Sequence, residues 1–281
     1  NPSQTQRAMA NLPVQIASLK SNVSRLPPPL ARMMQSAVSD FEGDAAGSTI
    51  TQLNQEMNSI VTRSCQEVIA NRYPFSRDSN RDVPIAEFTK LFAPGGVIDR
   101  FFSEKLSPLV DMNPDGWNWK QGDRVGQDLS KATLRDFQRA AAIRDAFFPA
   151  GAPMLALQMV VKPQTLSGNA DFALLEVNGT VIQSQQVGNA PVNLTWPGAG
   201  GGSASISIFP ELPGRSSSIT ANGPWAFLRL LTMGSVSKSG DGIGARFVIG
   251  GREVSYRIEL GQVTNPFLLP ALTEFKCPVG L

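Results

Sequence analysis

The sequence predicts an α+β protein in which a helical subdomain over residues 1–150 precedes a β-sandwich subdomain over residues 151–281 that one helix crosses. Residues 1–150 contain 33 charged side chains (17 basic, 16 acidic), whereas residues 151–281 contain 15 (8 basic, 7 acidic). Glycine changes in the opposite direction, from 7 residues to 18. The apolar spacing also changes, from three and four residues in the first half to alternation in the second.

The first half shows helical spacing interrupted by proline and glycine. Apolar residues three and four apart predict helices over residues 49–69, 85–91, 97–109 and 134–147. Thr133 and Asp136 resemble a capping box at the start of the last helix. Pro13 and the prolines at 27–29 predict only short helical pieces before residue 49.

The second half shows short apolar or alternating runs separated by turn residues. Strands are predicted over residues 155–161, 172–177, 180–185, 192–195, 204–209, 246–249 and 254–260, with a further candidate over 273–277. Asn178-Gly179 predicts a type I′ hairpin turn, and Gly250-Gly251 predicts a second hairpin. Residues 225–233 lack alternation and predict the single crossing helix. About seven short strands with turns between them favour a β-sandwich.

Composition excludes several classes of protein. The chain of 281 residues contains no His, which excludes Ser-His-Asp and Cys-His nucleophiles and His-ligated zinc. The formal net charge of +2 is too balanced to imply a nucleic-acid partner. The longest uncharged apolar window, residues 146–161, is interrupted by proline and glycine and predicts no membrane span. The chain begins with Asn1 rather than Met, so we expect a processed segment.

A paired-carboxylate hydrolase needs no His, so the acidic residues remain candidates for catalysis. Asp111, Asp115, Trp117 and Trp119 form the densest acidic and aromatic cluster in the sequence. A surface turn with both tryptophans packed on the helices is the favoured interpretation of this cluster. We therefore predict no catalytic, cofactor-binding or metal-ligating residue.

Two further features have alternative interpretations from the residues alone. Trp196 and Trp225 each lie beside a Pro-Gly or Gly-Pro turn, where they either close the ends of the sandwich or serve as an anchor for a protein partner. Cys65 and Cys277 belong to no Cys-x-x-Cys motif, and they are either two buried thiols or one disulfide.

Five stretches together resemble one family. They are RYPF at 72–75, FTKLFAPGGVIDRFF at 88–102, GPWAFLRLL at 223–231, FVIGGREVSY at 247–256 and NPFLLPALTEFKCP at 265–278. Together they resemble the C-terminal periplasmic region of the TssM (IcmF) family, the inner-membrane subunits of bacterial type VI secretion systems. The resemblance covers about residues 60–281.

The resemblance implies a periplasmic scaffold, not an enzyme, in a protein whose membrane anchor lies elsewhere. Its implied partners are the outer-membrane lipoprotein TssJ, the subunit TssL and other TssM copies, in a complex that bridges the two membranes. The periplasm is oxidising, which favours a disulfide between Cys65 and Cys277.

The charge-poor loops of the predicted sandwich are the candidate surface for TssJ, because low charge reduces the desolvation cost of docking. The candidate partner-binding residues are Thr165, Asn169, Gln186, Asn189, Trp196, Gly200, Glu211 and Arg215. The alternative is a periplasmic sandwich that binds or cleaves carbohydrate or peptidoglycan, for which exposed tryptophans beside paired carboxylates would be the sign. An adhesin-like module without affinity for TssJ is a third interpretation.

Overall fold

A computed structural model describes residues 17–18, 20–23, 25–121, 124–198, 202–261 and 264–281, with the side chains of Arg124 and Gln127 excepted. A helix-rich segment precedes a sheet-rich segment along the chain, which confirms the predicted α+β class. The last long helix ends at Phe147 and the first sandwich strand begins at Leu157.

A long helix opens the helical part and differs from the sequence prediction. Helix α1 (Pro28–Met57) continues through a π-helical turn (Asn58–Thr62) into α2 (Arg63–Ile69). The prediction of short helical pieces before residue 49 is therefore wrong from Pro28 onward. Proline is tolerated in the first turn of a helix, because the amide hydrogens there have no partner within the helix. The prolines at 28 and 29 thus begin a helix that they were expected to break, while Pro13 lies outside the described residues.

A short β-hairpin lies among the remaining helices in the order of the chain. The elements are α3 (Ile85–Phe92), α4 (Val97–Phe101) with a π-helical turn (Phe102–Leu106), β1 (Val110–Asn113), β2 (Gly116–Trp119), α5 (Arg124–Asp128) and α6 (Lys131–Phe147). The predicted capping box is wrong, because α6 begins three residues before Leu134. Ser130 is its N-cap and accepts a hydrogen bond from the Thr133 amide at 3.3 Å, so Thr133 lies inside the first turn.

Two antiparallel sheets form the sandwich. Their strands are β3 (Leu157–Leu166), β4 (Phe172–Val177), β5 (Thr180–Gln185), β6 (Val192–Trp196), β7 (Ser203–Phe209), β8 (Ser218–Asn222), β9 (Ser235–Ser239), β10 (Gly242–Ile249) and β11 (Arg252–Leu260). The first sheet has the order β6-β3-β11-β10-β9 and the second has the order β5-β4-β7-β8. Asn178 and Gly179 have φ angles of 50° and 84°, which confirms the left-handed turn predicted between β4 and β5.

In the sandwich, the sequence prediction misses two strands and assigns one wrongly, and strands β1 and β2 of the helical part are also not predicted. Strands β8 and β9 lie at sheet edges and are mostly exposed, so their serine-rich sequences lack a strong apolar alternation. The candidate strand over 273–277 is wrong, because Pro270 instead opens the short helix α8 (Ala271–Glu274). The helix predicted over 225–233 is present as α7 (Ala226–Thr232).

One end of the sandwich packs on the helices, and we call it the proximal end. Trp225 lies at the centre of this junction, with its ring centroid 5.0 Å from that of Phe88 and 5.2 Å from that of Trp196. The Trp225 indole donates a hydrogen bond to the Val83 carbonyl at 2.7 Å. The Arg229 guanidinium pairs with Asp82 from the helical part. Aromatic packing and polar contacts together fix the sandwich on the helices.

The C-terminal segment returns to the helical part, although composition groups it with the sandwich. Cys277 forms a disulfide with Cys65 on α2. The Thr62 hydroxyl donates to the Pro278 carbonyl at 2.7 Å, and the Leu281 amide donates to the Asn54 side chain at 2.6 Å. The residues from α8 onward therefore belong physically with the helices.

Candidate partner-binding surface

The end of the sandwich opposite to the helices, which we call the distal end, consists of four connections. In the first sheet, Leu166 pairs with Val254, which places the end of β3 beside the start of β11. In the second sheet, Phe172 pairs with both Gln185 and Phe209. The connections that leave these strand ends are residues 167–171, 186–191 and 210–217 and the turn at 250–251. Antiparallel pairing therefore gathers four segments that lie far apart in the sequence.

Arg252 holds two of these connections together. It is the first residue of β11, its side chain is 1% exposed, and it shares the inward face with Val254 and Tyr256. Its guanidinium donates to the carbonyls of Pro210 at 2.7 Å and Ile208 at 2.9 Å. A buried cation with carbonyl partners thus fixes the base of the 210–217 connection to the neighbouring sheet.

The other connections are fixed by hydrogen bonds to one another. Gln186 donates from its side-chain amide to the carbonyls of Ser167 at 2.9 Å and Ala170 at 3.1 Å. The Ser167 hydroxyl accepts from the Glu253 amide at 2.7 Å. Asn189 folds back on the end of β5, where its side chain both accepts from and donates to the Gln185 backbone at 2.7 and 2.9 Å. The distal surface is therefore a cross-linked platform.

Six of the eight predicted partner-binding residues lie at the distal end. Thr165, Asn169, Gln186, Asn189, Glu211 and Arg215 are all there, and all but the half-buried Asn189 are exposed. Thr165 lies in strand β3 rather than in a loop, and its hydroxyl is 2.6 Å from that of Ser255. The Arg215 side chain reaches the Gly250 carbonyl at 3.4 Å.

The other two predicted residues belong to the proximal end. Trp196 is 1% exposed and ends strand β6 against Trp225, so its prediction as a partner anchor is wrong. Packing against Phe147, with the ring centroids 6.5 Å apart, helps to cover the indole. Gly200 lies outside the described residues.

Two distal residues were not predicted from the sequence. Val187 is 80% exposed at the tip of the 186–191 connection and offers an apolar contact among neutral polar groups. Arg252 could have been predicted to face inward, because the β11 alternation places it in register with Val254, Tyr256, Ile258 and Leu260. Its bonding partners depend on the opposite sheet, which no local pattern reveals.

Few charged residues lie in the distal connections. Beside them, Arg246 and Glu253 form an ion pair with each other. Arg246 donates a hydrogen bond to Glu253 at 2.5 Å. That hydrogen bond lowers the pKa of the Glu253 carboxyl below its ordinary value. Glu253 is therefore ionised and paired at neutral pH.

The described part of the chain offers little to the chemistry of a hydrolase or a metalloprotein. Within it, no group of three or more Cys, Asp or Glu residues could hold a metal ion. Trp119, Trp196 and Trp225 are buried, and Trp117 is half-buried with its ring stacked on Phe102 at 4.6 Å. The sugar-binding alternative called for exposed tryptophans beside carboxylates, and only Trp117 is partly open.

Among the described residues, no helix combines the length and the apolar character that crossing a bilayer requires.

Two family models match adjacent parts of the chain. The model of the type VI secretion protein IcmF helical domain matches residues 48–153, and that of the IcmF C2-like domain matches residues 159–262. The chain belongs to the IcmF family. The two matched segments coincide with the helical part and the sandwich, which agrees with the resemblance in the five sequence stretches.

Related proteins agree with this membership. The type VI secretion system component TssM1 of Pseudomonas aeruginosa is 30% identical over 274 residues, which are 95% of this chain and 25% of that protein. The chain thus spans about a quarter of this IcmF relative.

Solved structures share the fold. The TssM C-terminal domain from EAEC has a TM-score of 0.71 at 20% identity and covers 83% of this chain and 98% of its own. A chain of a type VI secretion system membrane core complex has a TM-score of 0.75 at 20% identity, with 93% of this chain and 56% of that chain covered. A chain of a type VI membrane complex has a TM-score of 0.72 at 18% identity, with 92% and 53% covered.

Proposed function

We propose that this chain is a non-enzymatic scaffold domain of a type VI secretion membrane complex, located in the periplasm. In this proposal the distal end of the sandwich docks the outer-membrane lipoprotein TssJ, so that the domain links the inner and outer membranes. TssL and further copies of the IcmF protein are the other proposed partners in the complex.

One observation carries the proposal. The distal end is exposed and rigid, whereas the proximal end is covered by its packing on the helical part. Arg252 and Gln186 cross-link the distal connections, so little conformational entropy is lost when a partner docks. Val187 supplies an exposed apolar contact near the tip. A surface of this kind suits protein recognition.

The sugar-binding alternative is less favoured by the same structure. Only Trp117 among the four tryptophans lines an open groove, and Asp115 is the one acidic residue among those that line it in the described part of the chain. Cleavage of a glycoside needs two carboxyl groups at a defined separation. A groove with three cations and one carboxylate among its described lining residues does not supply that pair.

The docking proposal is tested with two valines of one hairpin. Val187 is 80% exposed at the distal end, and Val181 is 54% exposed beside the turn at the proximal end. We expect Val187→Asp to weaken TssJ capture at least about tenfold, because burying a charged side chain at an apolar contact costs desolvation free energy. Val181→Asp is the matched control and leaves capture unchanged.

The measurement is titration of immobilised TssJ with the purified chain and its variants. Circular dichroism confirms that both variants are folded. Equal loss of binding in the two variants, or no loss in either, would contradict docking at the distal end.

A further inference from the structure

A groove of about 480 Å³ lies on the helical part, between the β1–β2 hairpin and helix α6. Trp117, Ala142 and Ala271 are its apolar lining residues. The Trp117 amide donates to the Gln138 side chain at 3.4 Å, which ties the hairpin to the helix. Both walls of the groove are therefore fixed on secondary structure, and its shape exists before any ligand binds.

Helix α6 presents a row of cations to this groove. Lys131, Arg135 and Arg139 follow one another at intervals of four residues and all line it. Arg139 is already paired with Asp136 at 2.9 Å and with Glu274 at 3.5 Å. Within the described part of the chain, neither Lys131 nor Arg135 has an ion-pair partner. Lys131 and Arg135 are thus exposed cations beside an apolar strip, and Asp115 is the acidic residue among those that line the groove.

The start of α6 adds positive potential beside Lys131 and Arg135. Lys131 is the first residue of the helix, and the first turn contains no acidic residue. A cation there opposes the helix dipole, whose positive end lies at the N-terminus. An anion bound in the groove would interact favourably with both cations and the dipole.

The spacing of the cations on α6 matches the spacing of side chains on one side of an extended peptide. Successive cations on α6 are about 6 Å apart along the axis, at 1.5 Å per residue. Alternate side chains of an extended chain point to the same side and are about 6.6 Å apart. Acidic residues at alternate positions of a strand-like segment therefore match Lys131 and Arg135, while the residues between them face solvent.

We propose that this groove binds an extended acidic segment of a partner protein, with carboxylates on Lys131 and Arg135. The site lies on the helical part, so the proposal is independent of lipoprotein docking at the distal end. Attraction by charge makes the binding sensitive to ionic strength.

The test is calorimetric titration of the 281-residue chain with the blocked peptide Glu-Ser-Glu-Ser-Glu in low salt. We expect Lys131→Ala with Arg135→Ala to weaken binding about tenfold, because two exposed ion pairs are lost. The matched control is Arg63→Ala with Lys90→Ala, which removes the same charge from exposed positions on α2 and α3 and leaves binding unchanged.

A second variant is expected to strengthen binding of the peptide. Asp115 is the acidic residue among those lining the groove, and Asp115→Asn removes its repulsion, so the peptide binds about twofold more tightly. The glutamine version of the peptide is expected not to bind. Lack of binding by the glutamate peptide, or equal loss in the control pair, overturns the proposal. Binding of phosphatidylglycerol vesicles without binding of the peptide also overturns it in favour of a lipid surface.

Discussion

At the scale of single residues, two buried tryptophans differ in one hydrogen bond. Trp196 and Trp225 pack on each other at the junction of the sandwich and the helices. The Trp225 indole has the Val83 carbonyl as its acceptor, whereas the Trp196 indole has no acceptor among the described residues. Because both tryptophans belong to one buried cluster, comparing them tests the contribution of that bond.

We predict that Trp225→Phe destabilises the fold more than Trp196→Phe, by about 1–2 kcal/mol. Both changes reduce the volume of the same cluster, but only the first leaves a buried carbonyl without its donor. The free energy of unfolding in urea measures the difference. Equal losses would indicate that the Val83 hydrogen bond adds nothing to stability.

Arg252 supports a second prediction at this scale. Replacing it with Met keeps an unbranched side chain but leaves the carbonyls of Ile208 and Pro210 without their donor, so we expect a loss of about 1–3 kcal/mol. Arg215→Met, at an exposed distal position, serves as the control and changes stability by less than about 0.5 kcal/mol. Urea unfolding measures both, and hydrogen exchange of residues 208–217 shows whether the connection loosens.

At the scale of elements, the C-terminal segment acts as a strap across the helical part. The disulfide joins residues that are 212 positions apart, with their Cα atoms separated by 5.7 Å. Around it, the Phe275 ring lies 5.2 Å from that of Phe92, and the Pro278 carbonyl accepts from Thr62. Covalent and non-covalent contacts hold the same segment in place.

We predict that Cys277→Ser lowers the free energy of unfolding by about 5 kcal/mol. A cross-link that closes so long a loop removes much conformational entropy from the unfolded chain in the chain-entropy model. Urea unfolding with and without dithiothreitol provides the measurement. The variant lacking both cysteines is the control, since reductant leaves it unchanged. If reductant also left the unmodified protein unchanged, the covalent contribution would be disproved.

The sequence predicts elements well where the pattern is local. The Asn178-Gly179 hairpin is predicted with its correct bounds because the turn chemistry and the alternation agree. Edge strand β9 is missed because Val236 is its one apolar residue. The distal location of most candidate residues follows from pairing between distant strands, such as Phe172 with Phe209, which the loop composition alone could not supply.

At the scale of the whole molecule, the junction couples the two parts. The Arg229 guanidinium lies 3.9 Å from the centroid of the Tyr73 ring and pairs with Asp82. Burial raises the pKa of Tyr73 to about 12, so this tyrosine stays neutral throughout the physiological range. Trp225 crosses the same boundary through Phe88 and Val83. The helical part and the sandwich share one continuous core.

We therefore predict that the protein unfolds in one transition. Tryptophan fluorescence reports on the junction and on strand β2, and far-ultraviolet circular dichroism reports on all elements, so the two urea curves should coincide. Two separate midpoints in the unmodified protein would show that the parts unfold independently. Asp82→Asn weakens the junction and should lower the common midpoint in both signals.

The disulfide also determines how a pulling force would travel through this domain. Residues 65 and 277 close a covalent ring, and the distal connections lie within that ring. Tension applied between helix α1 and Val187 therefore divides between two backbone routes, one through the helical part and β3 and the other through the C-terminal strap and β11. Neither route alone bears the full load.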